Sequence, residues 1–500
     1  MIPQIPFNLS LLTDLYELTM MRGYFETRPD QQAVFEMFFR RQPFDGGYSI
    51  FAGLEPLIDI ILQLRFGEAE LQYLKSLQIF GDSFLAYLSK FRFSGDLWAM
   101  PEGSVVFPNE PLLRVRGNII ETQLLESIVL NMINFQTLIA TKTARVAHAA
   151  CGGAIIEFGL RRAHGVDGAV SATRAAFIGG TTATSNVLAG ARYGIPVRGT
   201  MAHSWIMSFK NEEEAFRRYA ELFPENCILL VDTYDTLKSG VPNAIRVLSE
   251  LKDQGHPGYG IRLDSGDLEY LSRAAREMLD AAGLKEARIL ASNELDEWII
   301  NQIVKNNGPI DAWGVGSKIV TADKDPFLSG VYKLAAKTDA HDMQPVMKIS
   351  NNPEKTTLPG IKNVLRFFNT EGMMLADLLY LEEEEEEILK AIDLYKSIRL
   401  HHPAIDSAGF TISGYAHARK LLTPVVQKGA RCTDPPAIQS IRERAIRELG
   451  QLDQTYKRLI NPHRYKVSIS SRLKELKRKL IADYFNFESP GADDISGSLD

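Results

Sequence analysis

At intervals along the middle of this chain, a short apolar run is followed at once by residues able to do chemistry. In order these are Glu157-Phe158-Gly159 with Arg161, Gly180-Thr181-Thr182, Thr200 with His203, Asp232-Thr233, Arg262-Leu263-Asp264-Ser265-Gly266-Asp267, Ser292-Asn293 and Gly314-Val315-Gly316-Ser317. Arginine forks and glycine-rich turns are what phosphates and carboxylates need. Asp232 and Asp264 offer hard oxygen donors suited to Mg²⁺ carried on a ligand's own phosphates. An imidazole such as that of His203 serves as base, acid, metal ligand or nucleophile. Taken singly, Ser292-Asn293 and Asp267 read as turn and helix-cap residues, and GVGS at 314–317 as a common turn. Two arginines and a histidine are not capping residues. Jointly the segments read as a site for an anionic, phosphorylated ligand.

The apolar runs before these residues supply the frame. Strand candidates are Ala154–Phe158, Pro196–Met201, Ile228–Val231, Gly258–Leu263, Arg288–Ala291 and Ala312–Val315, with a weaker one at Ala176–Gly179. Amphipathic helices at Glu212–Phe223, Leu237–Asp253, Leu268–Ala282 and Leu295–Lys305 fill most of the gaps. Alternation of this kind predicts an α/β fold: an irregular β/α barrel of six or seven parallel strands. Strand ends in such a barrel converge on one face, where ligands bind.

Before the barrel, Leu11–Phe25 reads as a helix with Thr13 and Asp14 as caps, Ala33–Arg40 as a strand and Phe51–Leu64 as a helix. Short extended pieces at Ser104–Phe107 and Leu112–Val115 and long helices over Glu121–Ala150 complete an N-terminal α/β layer. After it, Gly330–Ala336, Pro345–Ile349 and Val364–Asn369 suggest antiparallel strands packing on that layer. The expected domains are 1–150, 151–335 and a C-terminal extension 336–500, with a frayed tail from about 489. Glu382–Glu387 reads as a solvated linker or exposed helix start, His401, His402 and His417 as loop histidines, and Arg472–Leu480 as a basic surface helix. A net charge of −6 argues against a broad nucleic-acid surface. Cys151, Cys227 and Cys432 lie far apart and suggest neither zinc nor disulfides. The first residues lack the basic region of a signal peptide, and no apolar run reaches membrane-spanning length, so the expectation is a cytoplasmic protein without membrane or nucleic-acid partners.

TDLYELTM at 13–20, EFGLRRAHG at 157–165, GGTTATSN at 179–186, GTMAHSW at 199–205, RLDSGDL at 262–268 and GVGSKIVT at 314–321 together resemble nicotinate phosphoribosyltransferases. GVYKLA at 330–335 and NPEKTTLPG at 352–360 extend the resemblance, which runs in order from about residue 7 to about residue 480. It implies a type II phosphoribosyltransferase that joins nicotinate to 5-phosphoribosyl 1-diphosphate (PRPP), giving nicotinate mononucleotide and diphosphate with coupled ATP hydrolysis. This is the entry step of NAD salvage from nicotinic acid. It further implies Mg²⁺ accompanying ATP and PRPP, and a homodimer with shared active sites. Carried over residue by residue, His203 matches a transiently phosphorylated histidine, and Asp264, at a position surrounding PRPP, completes the catalytic set. Tyr16, Phe158, Thr182, Thr200 and Arg262 match the nicotinate pocket, and Arg161, Asn293, Gly316 and Ser317 the surroundings of PRPP. Neither the metal ligands nor the carboxylate that orients His203 follows from the resemblance.

Nicotinamide-using relatives are the nearest rival. They carry an aspartate at the position matched to Thr182, where its charge would repel a substrate carboxylate. A quinolinate-using enzyme would need cations for a second carboxylate and would lack the ATP-coupled histidine. A barrel aldolase or isomerase would want a lysine or carboxylate base at a strand end, for which Lys318 is weak support. A non-catalytic paralogue would predict decay among Tyr16, Arg161, His203 and Arg262, all of which are intact.

Overall fold

Residues 9–339, 342–350, 352 and 355–487 are described by a computed structural model of the chain. The expected tail from 489 lies outside these residues. Two compact units divide the chain: Gln136–Phe327 with Ala437–Ile446 forms one, and 9–135, Leu328–Pro436 and 447–487 form the other.

In the first unit the sequence alternates as its apolar periodicity predicts. The strands are β1 (Ala154–Glu157), β2 (Ala183–Thr184), β3 (Cys227–Leu230), β4 (Tyr259–Leu263), β5 (Arg288–Ser292) and β6 (Ala312–Val315). The helices are α1 (Gly165–Gly179), α2 (Val187–Tyr193), α3 (His203–Met207), α4 (Glu212–Leu222), α5 (Val241–Asp253), α6 (Leu268–Ala281), α7 (Glu297–Lys305) and α8 (Ser317–Val320). All strands run parallel in the order β2-β1-β6-β5-β4-β3, a half-barrel wall. Its apolar interior is built from strand residues such as Leu229, Ile261, Ile289 and Trp313, all fully buried.

Two of the expected strands are corrected. Ala176–Gly179 is the last turn of α1, which ends where Gly180 turns to a φ of 128°. A short apolar run does not distinguish a buried helix from a buried strand, and here the helix won. Pro196–Met201 makes one isolated bridge, Val197 to Thr184, beyond the edge strand β2. Pro196 has no N–H to give a ladder, and the segment's backbone bonds to β2 are Thr184 N–H to Pro196 O (3.0 Å) and Arg198 N–H to Thr184 O (2.9 Å). The helix expected from Leu237 starts at Val241, after a π-helical turn over Thr236–Gly240.

The second unit holds two larger sheets. Gln32–Phe39 pairs antiparallel with both Leu113–Asn118 and Gly330–Asp339, so the chain after the barrel does return to the N-terminal layer. Asp342–Pro345 extends that sheet, but the strand expected over Pro345–Ile349 does not continue past Pro345. Lys362–Phe368 instead pairs with Met374–Leu381 in the other sheet. Asp14 caps the helix Leu15–Thr27 by position only, while Thr13 bonds Glu17. His401 and His417 lie in strands rather than loops, and His417 stacks on Phe368. The run Glu382–Glu387 is a 3-10 turn, Glu382–Glu384, leading into the helix Glu385–Tyr395, and it is paired rather than merely solvated: Glu385 meets Lys420 at 2.7 Å, and Arg472 of the basic helix meets Glu383 at 3.4 Å. Among the described residues no helix is long and apolar enough to cross a membrane, and the cysteines are free.

Within this unit Arg366, fully buried, forks onto Asp377 (2.6 and 2.9 Å) and gives Nη1 to Val105 O at 2.8 Å. Glu110, equally buried, sits 3.9 Å from the same guanidinium. Burial, then the Asp377 charge, pushes the Glu110 carboxyl well above its ordinary value of 4.5 despite Arg366. A raised carboxyl contributes stability that is complete below the ordinary value and lost as pH rises through the folded one. Glu110→Gln is therefore expected to match the parent near pH 4 and to become the more stable of the two as pH rises. Denaturation midpoints of both proteins from pH 4 to 9 check it.

Candidate active site

Arg262, next to the C-terminal end of β4, is the centre of the polar network on this face of the half-barrel. Its Nε donates to Ser292 Oγ at 2.8 Å, Nη1 to Thr200 Oγ1 at 3.1 Å and Nη2 to Asp264 Oδ1 at 2.8 Å. The guanidinium also lies 5.3 Å from the centre of the Phe158 ring, a cation–π distance. Phe158 can occupy that place because Gly314 faces it: a Cβ there would come within 2.6 Å of the ring. Strands β5 and β6 thus contribute a hydroxyl and a space, and β1 an aromatic floor.

Asp264 connects this cation to the histidine. Ser292 donates a short hydrogen bond to its Oδ1, and its Oδ2 lies 3.6 Å from His203 Nε2. Burial by itself raises the Asp264 carboxyl, but Arg262, the Ser292 hydroxyl and His203 together hold it below the usual carboxylate range. The group is an anion at neutral pH. The other ring nitrogen of His203, Nδ1, lies 3.2 Å from Thr233 Oγ1. His203 opens α3, a single turn pinned by Trp205, whose indole N–H donates to Ala215 O at 3.1 Å. The imidazole is partly exposed, with a carboxylate on one nitrogen and a hydroxyl on the other. The Asp264 carboxylate favours the proton on Nε2, which leaves Nδ1, facing the Thr233 hydroxyl, with a lone pair for chemistry.

Asp232 has a supporting role. Its Oδ2 accepts the Asp264 N–H at 3.0 Å and the Ser265 hydroxyl at 2.5 Å, which clamps the loop after β4 to the end of β3. Its Oδ1 is buried without a hydrogen-bond partner among the described residues. No group of three or more His, Cys, Asp or Glu converges on a metal position among those residues. An all-oxygen pair of Asp232 and Asp264 fits Mg²⁺ bound mainly through a ligand's phosphates, and does not amount to a protein cage.

After β5 the chain is strained. Asn293 and Glu294 take φ of 89° and 38°, a region other than glycine seldom enters. The anchored start of α7 holds the turn there. Asp296 caps α7 through the N–H groups of Trp298 and Ile299, both at 2.9 Å, and buried Glu297 takes Lys142 Nζ at 2.6 Å and Arg145 Nε at 3.1 Å. Burial opposes ionisation of Glu297, but Lys142 and Arg145 outweigh it and hold that carboxyl low. The result is an exposed Asn293 beside Ser317, whose hydroxyl meets Glu294 Oε1 at 3.3 Å at the start of α8. Gly316 packs on the Phe158 carbonyl. Arg161 stands exposed on the turn Leu160–Arg162 that follows β1.

His203, Asp264, Arg262, Thr200 and Phe158 are therefore joined by direct contact, with Asn293, Gly316, Ser317 and Arg161 on the loops around them. Thr182 is not among them. Its N–H and hydroxyl both bond Ile155 O, at 2.8 and 3.0 Å, which places it before β2, beside the middle of β1. Phe158 lies three residues further on, just past the end of β1, roughly 10 Å at the rise of a strand. The residue just past β2 is Ser185, whose N–H bonds Glu157 O at 2.9 Å. Thr182→Asp is accordingly expected to leave the ratio of nicotinate to nicotinamide use unchanged, as competition kinetics with both pyridines would show. Tyr16 belongs to the other unit, exposed on the helix Leu15–Thr27, its hydroxyl pushed up by desolvation and then by Glu126. Ser292 and Thr233 gain roles that their sequence context hides, since a turn hydroxyl looks the same whether or not an arginine or histidine reaches it.

Three family models cover most of the chain. Residues 11–134 match the model of the nicotinate phosphoribosyltransferase (NAPRTase) N-terminal domain, 154–371 that of the nicotinate phosphoribosyltransferase (NAPRTase) family, and 361–477 that of the C-terminal domain. The chain is 42% identical over 469 residues to a nicotinate phosphoribosyltransferase of Bacillus subtilis, covering 93% of each. It is 36% identical to one from Dictyostelium discoideum, covering 95% of this chain and 89% of that one. Its fold is similar to the crystal structure of human nicotinic acid phosphoribosyltransferase, with a TM-score of 0.81 at 30% identity, over 94% of this chain and 100% of that one.

Proposed function

Because the chain belongs to the nicotinate phosphoribosyltransferase family, we propose that it joins nicotinate to PRPP and couples this to ATP hydrolysis through a transient phosphohistidine at His203. The observation that carries the coupling is the placement of His203 between Asp264 and Thr233, at the edge of the Arg262 network. In the transfer, the pyridine nitrogen forms a bond to the anomeric carbon of the ribose as the bond from that carbon to the diphosphate oxygen breaks. Positive charge develops on the sugar and negative charge on the leaving group. The chain's contribution is positioning and electrostatics. Arg262, held over the Phe158 ring, meets the nicotinate carboxylate, and Arg161 with the Gly316-Ser317 turn receives phosphate. Asp232 and Asp264 would hold Mg²⁺ together with the diphosphate, and the ion would neutralise charge on the leaving group. Phosphorylation of the imidazole at Nδ1, the nitrogen facing the Thr233 hydroxyl rather than the Asp264 carboxylate, adds a dianion to the site. This changes the affinity of the site between two states, the requirement for any coupling.

Nicotinate rather than nicotinamide is supported by the neutral side chain of Ser185 at the end of β2, where an aspartate would repel a substrate carboxylate. The test is formation of nicotinate mononucleotide from nicotinate, PRPP and Mg²⁺, with and without ATP. ATP is expected to raise the yield at equilibrium, and a yield independent of ATP contradicts the coupling. A homodimer and a cytoplasmic site of action are part of the same proposal.

A further inference from the structure

Glu157, the last residue of β1, has no exposed surface and no part in the reaction as derived above. Its Oε1 accepts a short hydrogen bond from the Gly159 N–H, and its Oε2 accepts the hydroxyls of Thr173 (2.9 Å) and Thr184 (2.6 Å). Those hydroxyls are themselves committed. Thr184 Oγ1 accepts the Asn186 N–H at 2.9 Å, and Thr173 Oγ1 accepts the Asn186 side-chain amide at 3.2 Å. One carboxylate thus gathers the ends of β1 and β2, the middle of α1 and the start of α2. A carboxylate accepts from the backbone N–H and both hydroxyls at once. An amide would turn an N–H₂ toward the hydroxyls, of which Thr173 has another acceptor, Ala169 O at 3.0 Å, and Thr184 loses its own. The loop it grips has little slack. A Cβ on Gly159 would meet Val320 at 2.3 Å and the Glu157 carboxylate at 2.9 Å, so the backbone is packed against α8 on its far side.

We propose that Glu157 is a positioning residue for phosphoribosyl transfer, fixing the Phe158–Arg162 loop so that Phe158 supports Arg262 and Arg161 faces the phosphates of the donor. This rests on the reaction proposed above. Its consequence is selective: loss of the acceptor pair loosens the loop and weakens donor binding before it affects anything else.

The test is Glu157→Gln in the full-length protein, with Thr173→Val as a milder second variant in case the first does not fold. KM is the informative kinetic quantity, since a purely structural defect lowers the amount of active enzyme and so the apparent kcat, without moving KM. The expected result is a KM for PRPP raised about tenfold in Glu157→Gln and less in Thr173→Val. Hydrogen exchange without ligand is the second readout. Backbone amides of 158–163 should exchange faster in both variants, while β3, β4 and β5 keep their protection. An unchanged KM, or unchanged exchange in that loop, overturns the inference. Absence of turnover in the parent protein would instead sink the reaction proposed above, and the exchange measurement would then decide the role of Glu157 alone.

Discussion

Arg262→Ala should lower kcat/KM for nicotinate mononucleotide formation about a thousandfold, a transition-state loss of roughly 4 kcal/mol. One side chain holds Ser292, Thr200 and Asp264 and rests on Phe158, so its removal unties most of the direct contacts in the site. Arg262→Lys keeps the charge but not the fork, and a point charge cannot reach the three partners together. It is expected to recover only a small part of the loss. The pH dependence should move as well. After burial, which raises it, Arg262 is the foremost influence on the Asp264 carboxyl and keeps it below the usual range. In the parent, the stability contributed by this pairing is present above the ordinary carboxyl value and disappears as pH falls through the lower folded value. Without Arg262 the carboxyl rises, so the acidic limb of the activity profile shifts to higher pH. Kinetics from pH 5 to 9 on parent and variants would show both effects.

Asp377→Ala carries the largest expected effect on stability. Arg366 is fully buried in the second unit and makes three bonds to this carboxylate, so the variant strands a charge in the interior. Removing one partner of such a pair costs about 3–5 kcal/mol. Glu448, 3.5 Å from Nη1, and Glu110, 3.9 Å from Nη2, stay near the guanidinium but do not replace the Asp377 fork. Tyr465, whose hydroxyl donates to Asp377 at 3.0 Å, loses its acceptor at the same time. The double variant Asp377→Ala with Arg366→Met should regain much of the loss, since it removes the stranded charge. Chemical denaturation of the single and double variants separates a broken pair from a general packing defect.

Much of the barrel was legible because its strands are compact apolar runs, such as Ile228 to Val231, each followed by a polar turn. What stayed hidden depends on partners distant in sequence. Ala176–Gly179 has the composition of a strand, yet it is buried inside a helix rich in small residues, and local hydrophobicity does not tell the two apart. β2 is only Ala183–Thr184, too short to leave a periodic signal, so the residue at its end could not be picked out. Thr182 draws the eye in the sequence, whereas the residue just past β2 is Ser185. Asp264 as the carboxylate beside His203 follows from neither spacing nor composition: β4 and α3 are separated by more than one βα unit, and only the sheet brings them together. The acidic run at 382–387 and the basic helix each look solvated when read alone, and their pairing through Arg472 appears only in three dimensions.

The central claim is that His203 takes the phosphate from ATP, and direct detection of that phosphate tests it best. The protein is incubated with labelled ATP and Mg²⁺, quenched, and assayed for label that is stable in base and released in acid. Such label is expected on the parent protein, with its loss on addition of nicotinate and PRPP, and none is expected on His203→Ala. Label that persists in His203→Ala, or no label on a parent whose product yield still rises with ATP, would contradict the claim.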